Sequence, residues 1–242
     1  MIAEIAARVF RIRNATDYTR SLIERGEIET ALDIGCGGWS PLTLFRPRIR
    51  TMGLDGFAGA IEDSRKKNVH DEYLLADVLR TDPKQILERT GGKKFDLVTL
   101  YSVIEHFPKR QGWELLERCE ELTSKYVLLE TPNGFVEQGP EFGNELQRHL
   151  SGWFPNELEG LGYRVHGTTG TRYLRGYVAG PKYNIKGTIS VDYALSWLLR
   201  VNDHPGHAFN LVAIKDVRGI AARLHLPQKE RIRLAREGRA LV

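Results

Sequence analysis

A parallel α/β sheet with helices on both faces is the architecture this sequence predicts, and three observations carry it. Short apolar runs alternate with helix-patterned stretches from residue 31 to residue 129, the signature of linked β–α–β units. The first run, Ala31-Leu32-Asp33-Ile34, enters a glycine turn, Gly35-Cys36-Gly37-Gly38. Acids stand at or just past the ends of three successive strands, as Asp33, Asp55 and Asp77. Ligands of such sheets sit outside the carboxyl ends of the strands, so these acids mark the candidate site.

Each element follows in order. Ile2 to Arg25 reads as one or two amphipathic helices ahead of the first strand, Ala31–Ile34. Met52–Leu54 is the second strand and Ala58–Lys67 the helix after it. Glu72–Leu75 is the third strand, Pro83–Arg89 a helix, and Phe95–Leu100 the fourth strand, entered from the Gly91-Gly92 turn. Trp113–Leu122 is a helix with apolar positions near helical spacing, and Tyr126–Leu129 is the fifth strand. Thr131-Pro132-Asn133-Gly134 then breaks regular structure. Leu161–Val165 is a sixth strand, Val191–Val201 a helix, and Ala208–Ile214 the last strand. The stretch between the last two strands, residues 166–207, is longer than an ordinary loop and suggests an inserted cover over the acceptor. The chain therefore reads as a single domain: an N-terminal helical cap (1–30), a core (31–165), the insertion, the last strand (208–216) and a tail (217–242).

Composition bounds the class. The 242 residues are 41% hydrophobic and 27% charged, ordinary for a globular enzyme. No run is long and apolar enough for a membrane span, and the first ten residues lack a secretory signal's apolar region. Cys36 and Cys119 lie far apart, which suits a reducing cytoplasm better than a disulfide framework. The net charge of +4 is carried by the tail: residues 217–242 hold seven Lys or Arg and two Glu, +5, leaving −1 for the rest. A basic tail suits phosphates or a solvated helix.

The glycine turn and the acid twenty residues beyond Gly35 form a nucleoside-binding arrangement, in which the acid accepts ribose hydroxyls. The loop departs from the dinucleotide fingerprint, which places glycine or alanine where Ser40 stands. Asp33 would repel a pyrophosphate and attract an ammonium group. Trp39 follows the glycines, either packing over a ligand at the mouth or serving as a buried packing residue.

Four segments in order resemble the class I S-adenosylmethionine-dependent methyltransferases: Leu32-Asp33-Ile34-Gly35-Cys36-Gly37, Asp55, Ala76-Asp77-Val78, and Phe95-Asp96-Leu97-Val98 running into Tyr101-Ser102-Val103-Ile104-Glu105-His106-Phe107. The resemblance implies a Rossmann-like, seven-stranded, mostly parallel sheet with an antiparallel last strand. It also implies S-adenosylmethionine as cofactor, held by Asp33, Gly35, Cys36, Gly37, Asp55, Gly56, Asp77, Val78 and Tyr101. Tyr101 to His106 is similar to the corresponding loop of ubiquinone-pathway O-methyltransferases and small-RNA 2′-O-methyltransferases. There a Glu-x-x-Glu-His arrangement is implied in binding a divalent metal. Ser102 replaces the first Glu here, and the two remaining ligands predict no required metal.

Alignment of an acceptor behind the sulfonium methyl and exclusion of water are what methyl transfer demands of a protein. A hydroxyl acceptor also benefits from a base. His106 is the first candidate and His149 the second, each otherwise a structural histidine. Glu105, Asn133, Trp153, Tyr173 and Arg175 are the candidate acceptor contacts; Tyr177, Tyr183, Arg172 and Lys182 extend an aromatic and basic cover suited to a sugar or phosphorylated acceptor. The segment around Arg148-His149-Leu150-Ser151-Gly152-Trp153 looks like those of methyltransferases near glycan-assembly enzymes. The expected function is O-methylation of a small molecule or glycan precursor. The alternatives are an RNA methyltransferase using the basic tail, or a non-catalytic cofactor-binding partner subunit. The N-terminal helix and the insertion are the candidate surfaces of a homodimer.

Overall fold

The computed structural model describes residues 12–141, 143–176, 182 and 188–218. Chain order is α1 (Ala15–Glu24), β1 (Thr30–Ile34), β2 (Arg50–Asp55), α2 (Ala58–Lys66), β3 (Glu72–Leu75), α3 (Pro83–Glu88), β4 (Phe95–Tyr101), α4 (Lys109–Leu122), β5 (Thr123–Pro132), α5 (Pro155–Glu159), β6 (Arg164–Thr171), α6 (Thr188–Leu198) and β7 (Ala208–Asp216). Among the described residues four short 3-10 turns punctuate this, at Pro41–Phe45, Ile104–His106, Glu145–Gln147 and Pro205–His207.

One seven-stranded sheet has the order β3-β2-β1-β4-β5-β7-β6. β1 to β5 run parallel, and β7 lies antiparallel between β5 and β6. Alternation along the strands divides the core. Leu32, Ile34, Val98, Leu100, Val127 and Leu129 pack under α4. Ala31, Leu97, Tyr126 and Leu128 pack under α1, against Tyr18, Leu22 and Ile23. A period of two in a sheet covered on both faces produces this division.

Local signals set the helix ends. Asn14 caps α1 by accepting the Asp17 amide, while the Asp17 carboxylate accepts the Asn14 amide, a reciprocal capping box. Asp82 accepts the Lys84 amide ahead of α3, with Pro83 in its first turn. α4 starts four residues before the expected Trp113, because Pro108 ends the preceding turn and fits a helix N-terminus.

Two expectations are revised. The sixth strand is not Leu161–Val165 but Arg164–Thr171, since Gly162 (φ +84°) turns the chain out of α5. His166 to Thr171 therefore belongs to the sheet rather than to the cover. β5 reaches Pro132 instead of stopping at Leu129, held there by the β7 ladder. Ile2 to Arg11 and the tail beyond Arg218 lie outside the described residues. Among the described residues no helix is long and apolar enough to cross a membrane. Cys36 and Cys119 are both free and buried.

Candidate active site

β1 stops where Gly35 (φ +68°) and Gly37 (φ +50°) turn the chain with left-handed backbone. A Cβ at Gly35 would stand 2.6 Å from Val103 Cγ2, so glycine is also needed for the loop after β4 to approach. The amides of Gly35 and Cys36 both donate to the Leu54 carbonyl, which ties the turn to β2. Asp55, at the end of β2, accepts Gly37 N at 3.1 Å and Phe57 N at 2.8 Å. Burial outweighs these donors and raises its carboxyl above the usual range.

A cleft of about 450 Å³ opens over these strand ends. Gly35, Asp55, Gly56, Asp77, Val78 and His106 line it, all of them sequence candidates. Asp77 takes the amides of Leu79 and Arg80, which shapes the turn after β3. Leu146 and Gln147, from the Glu145–Gln147 turn, close the far wall. Nothing in the sequence marked that turn, because its seat over Gly56 depends on chain packing 90 residues away.

Asp33, Cys36, Gly37 and Tyr101 lie outside the cleft lining. Asp33 is buried beneath the glycine turn, where Thr99 Oγ1 donates to Oδ1 at 2.7 Å and His70 Nε2 stands 3.4 Å from Oδ2. Gly53 makes room for that histidine: a Cβ there would lie 2.6 Å from the ring. Burial pushes the Cys36 thiol far up, which leaves it unreactive. The Tyr101 hydroxyl pairs with Thr19 Oγ1 at 2.8 Å on the α1 side of the sheet. Trp39 is 70% exposed at the loop's edge, which removes the buried-packing alternative.

At the end of β4 the fold assembles a cluster. Glu105 is buried, accepts Thr131 Oγ1 at 3.0 Å, and has its carboxyl pushed up to about 8 by desolvation. Its backbone carbonyl accepts the amides of Leu150 and Ser151, and so holds the later segment against the turn. That brings His149 to His106, with ring centroids 4.9 Å apart. His106 Nδ1 lies 3.2 Å from the Arg148 carbonyl and His149 Nδ1 lies 2.6 Å from that of Val136. A carbonyl only accepts, so both Nδ1 atoms carry a proton. Burial, then the neighbouring His149, lowers the His106 pKa. One potential ligand atom from each of Glu105, His106 and His149 falls within 4.8 Å of the others. The count of two ligands behind the no-metal expectation thus becomes three in the fold, since His149 arrives from 43 residues away.

Residues 32–125 match the model of a family described as a methyltransferase domain. This chain is similar to that family from β1 into β5. Its fold is shared with the plantazolicin methyltransferase BpumL, solved with a pentazolic substrate analogue and S-adenosylhomocysteine, at 17% identity and TM-score 0.50 over 84% of this chain and 82% of that one. Magnesium protoporphyrin IX methyltransferase from Synechocystis PCC 6803 aligns at 14% identity and TM-score 0.48, over 88% and 83% of the two chains. A methyltransferase from Archaeoglobus fulgidus aligns at 18% and 0.49, over 85% and 96%. No curated protein is similar enough to count as a relative.

On the expected acceptor side the fold turns several candidates inward. Trp153 is fully buried, edge-to-face with Trp113, its Nε1 donating to Ser151. Arg175 is buried in an ion pair with Asp192 at 2.5 Å. Asn133 spends its amide on the carbonyls of Pro205 and Ala208, clamping the end of β5 to the start of β7. Tyr173 is exposed, with its hydroxyl 2.7 Å from His207 Nδ1. Tyr177 and Tyr183 lie outside the described residues.

Proposed function

We propose that the protein transfers the methyl group of S-adenosylmethionine to a hydroxyl of a small polar molecule or glycan precursor. The observation that carries the reading is the pairing of an acid-lined nucleoside cleft with two pinned imidazoles at its edge. The cofactor supplies a methyl on sulfonium sulfur, already activated toward displacement. Asp55 and Asp77 are suited to its ribose hydroxyls and adenine amino group, and Val78 offers backbone beside them. Asp33, braced by Thr99 and His70, supports the glycine turn and adds negative charge below it. The product S-adenosylhomocysteine would occupy the same cleft.

His106 holds the base role best. Its lowered pKa keeps the ring neutral near neutral pH, and a neutral imidazole lining the cleft can take the acceptor's proton. His149 holds the second position in the pair. Tyr173 and the residues of the cover are assigned to the acceptor's outer end. Calorimetric titration with S-adenosylhomocysteine, run beside NADH, tests the cofactor assignment. Binding of the first alone is expected; binding of NADH alone would overturn the roles of Asp33, Asp55, Asp77 and His106 alike.

The three-atom cluster favours one second reading. Glu105, His106 and His149 have the chemistry of a divalent-cation site with open positions, which would polarise a bound hydroxyl. Glu105 Oε1 is buried without a hydrogen-bond partner, which fits a missing ligand. Undiminished turnover after EDTA treatment supports the metal-free base, and strict restoration by Zn²⁺ or Mn²⁺ supports the metal.

A further inference from the structure

Glu130 lies two residues before the end of β5, beside the cleft. Its carbonyl accepts the amide of Ser102, which lines the cleft, at 2.9 Å. Its side chain turns to the opposite face of the sheet from Glu105. There it stands in register with Tyr101 on one side and Val212 on the other, under α1, whose Thr19 bonds the Tyr101 hydroxyl. The residue is half-buried with its carboxyl group enclosed, and among the described residues no cation pairs with it. Its partners are weak: Asn210 Nδ2 at the 3.5 Å limit, and the Thr168 hydroxyl. Beside it, Asn210 Oδ1 is buried and has no hydrogen-bond partner among the described residues. Next to Thr168 the β6 strand bulges, with Thr169 held at φ +62°, and such strain gathers at ligand sites.

The polar groups here with unmet valences are therefore acceptors: a carboxylate and an amide oxygen. A buried acid is normally paired. What completes this set is a ligand that donates several hydrogen bonds and brings positive charge. We propose that Glu130, flanked by Tyr101 and Asn210, is a specificity-determining contact that selects small acceptors bearing a protonated primary amine. The inference rests on the methyl-transfer reading and narrows its acceptor class. The amine is the recognised group, held by the carboxylate while the reacting hydroxyl lies toward the cleft.

The test uses the full chain with methyl-tritiated S-adenosylmethionine and three pools of matched compounds. The first holds ethanolamine, glucosamine and aminobutanol; the second their neutral alcohol counterparts; the third the corresponding acids. Label should enter the amine pool about tenfold to a hundredfold above the others, the weight of one charge-assisted contact. Glu130→Gln should bring amine and alcohol pools to parity, while its affinity for S-adenosylhomocysteine stays at the wild-type value. Glu130→Asp, which keeps the charge, should retain the preference in part. Preference for the acids or alcohols overturns the proposal, as does wild-type enzyme that binds S-adenosylhomocysteine yet labels no pool. A large loss of S-adenosylhomocysteine affinity in a folded Glu130→Gln also overturns it, by placing Glu130 at the cofactor. Failure of the wild type to bind S-adenosylhomocysteine is a different failure, that of the methyl-transfer reading itself.

Discussion

Asp55 accepts the amides of Gly37 and Phe57 while facing the cleft. Its substitution therefore removes a ligand contact and loosens the turn that shapes the pocket. Asp55→Ala should weaken S-adenosylhomocysteine binding by about 1.5–3 kcal/mol, the worth of a charge-assisted hydrogen bond, read by calorimetry. Glu105 makes a second prediction. Its carboxyl sits at about 8 in the fold, against about 4.5 in the unfolded chain. The folded state thus holds a proton that the unfolded chain releases. The resulting stability is full below the unfolded value and is lost as pH rises through 8. Urea midpoints of the wild type should fall from pH 5 to pH 9, and Glu105→Gln should flatten this slope. Asp55 and Asp77 were legible in the sequence because strand order alone sends acids at strand ends to the cleft. Glu130 was not legible: its place beside Tyr101, and the reach of the Asn210 side chain to it, depend on register between strands far apart in sequence.

At the scale of elements, α4 comes down on Trp153 through Gly112. A Cβ there would lie 2.4 Å from the indole Cζ2 and 3.3 Å from Ile104 Cγ1. Gly112→Ala should lower stability by about 1–3 kcal/mol through overpacking. Trp153→Ala should cost about 3–5 kcal/mol by emptying the same hollow. Both are read as melting temperatures with S-adenosylhomocysteine present and absent. Sequence alone puts Trp153 on the acceptor because an aromatic in an irregular segment carries no periodicity to show which way it faces. The glycine that accommodates it sits 41 residues earlier on another element. β3 was legible to the residue, since an acid-to-apolar run of four between turn signals has few other solutions. β6 was displaced because His166-Gly167-Thr168-Thr169-Gly170-Thr171 carries little apolar patterning; its strand form is imposed by the β7 ladder.

Across the whole molecule, α6 is fastened to the sheet by a buried polar cluster. Asp192 takes the Thr171 amide and hydroxyl on Oδ1 and Arg175 on Oδ2, and the guanidinium also lies over Tyr193. Asp192→Asn should cost about 3–5 kcal/mol, because a buried guanidinium loses its counter-charge. Thermal unfolding of the variant checks this. The sequence marked residues 166–207 as an insertion but could not show its anchor, since Arg175 and Asp192 meet only when α6 folds back.

The antiparallel β7, lying between β5 and β6, sets an order of events during synthesis. Strand β7 is the last to emerge, and until it does β5 presents a bare edge of unpaired amides and carbonyls. The cofactor half of the sheet can assemble while the acceptor half waits for residues 208–216. A chain halted just before Ala208 should carry that open edge permanently and form aggregates through it. The nascent protein thus passes through an interval in which it resembles a cofactor-binding fragment with an adhesive rim, and that interval is where a chaperone would be needed.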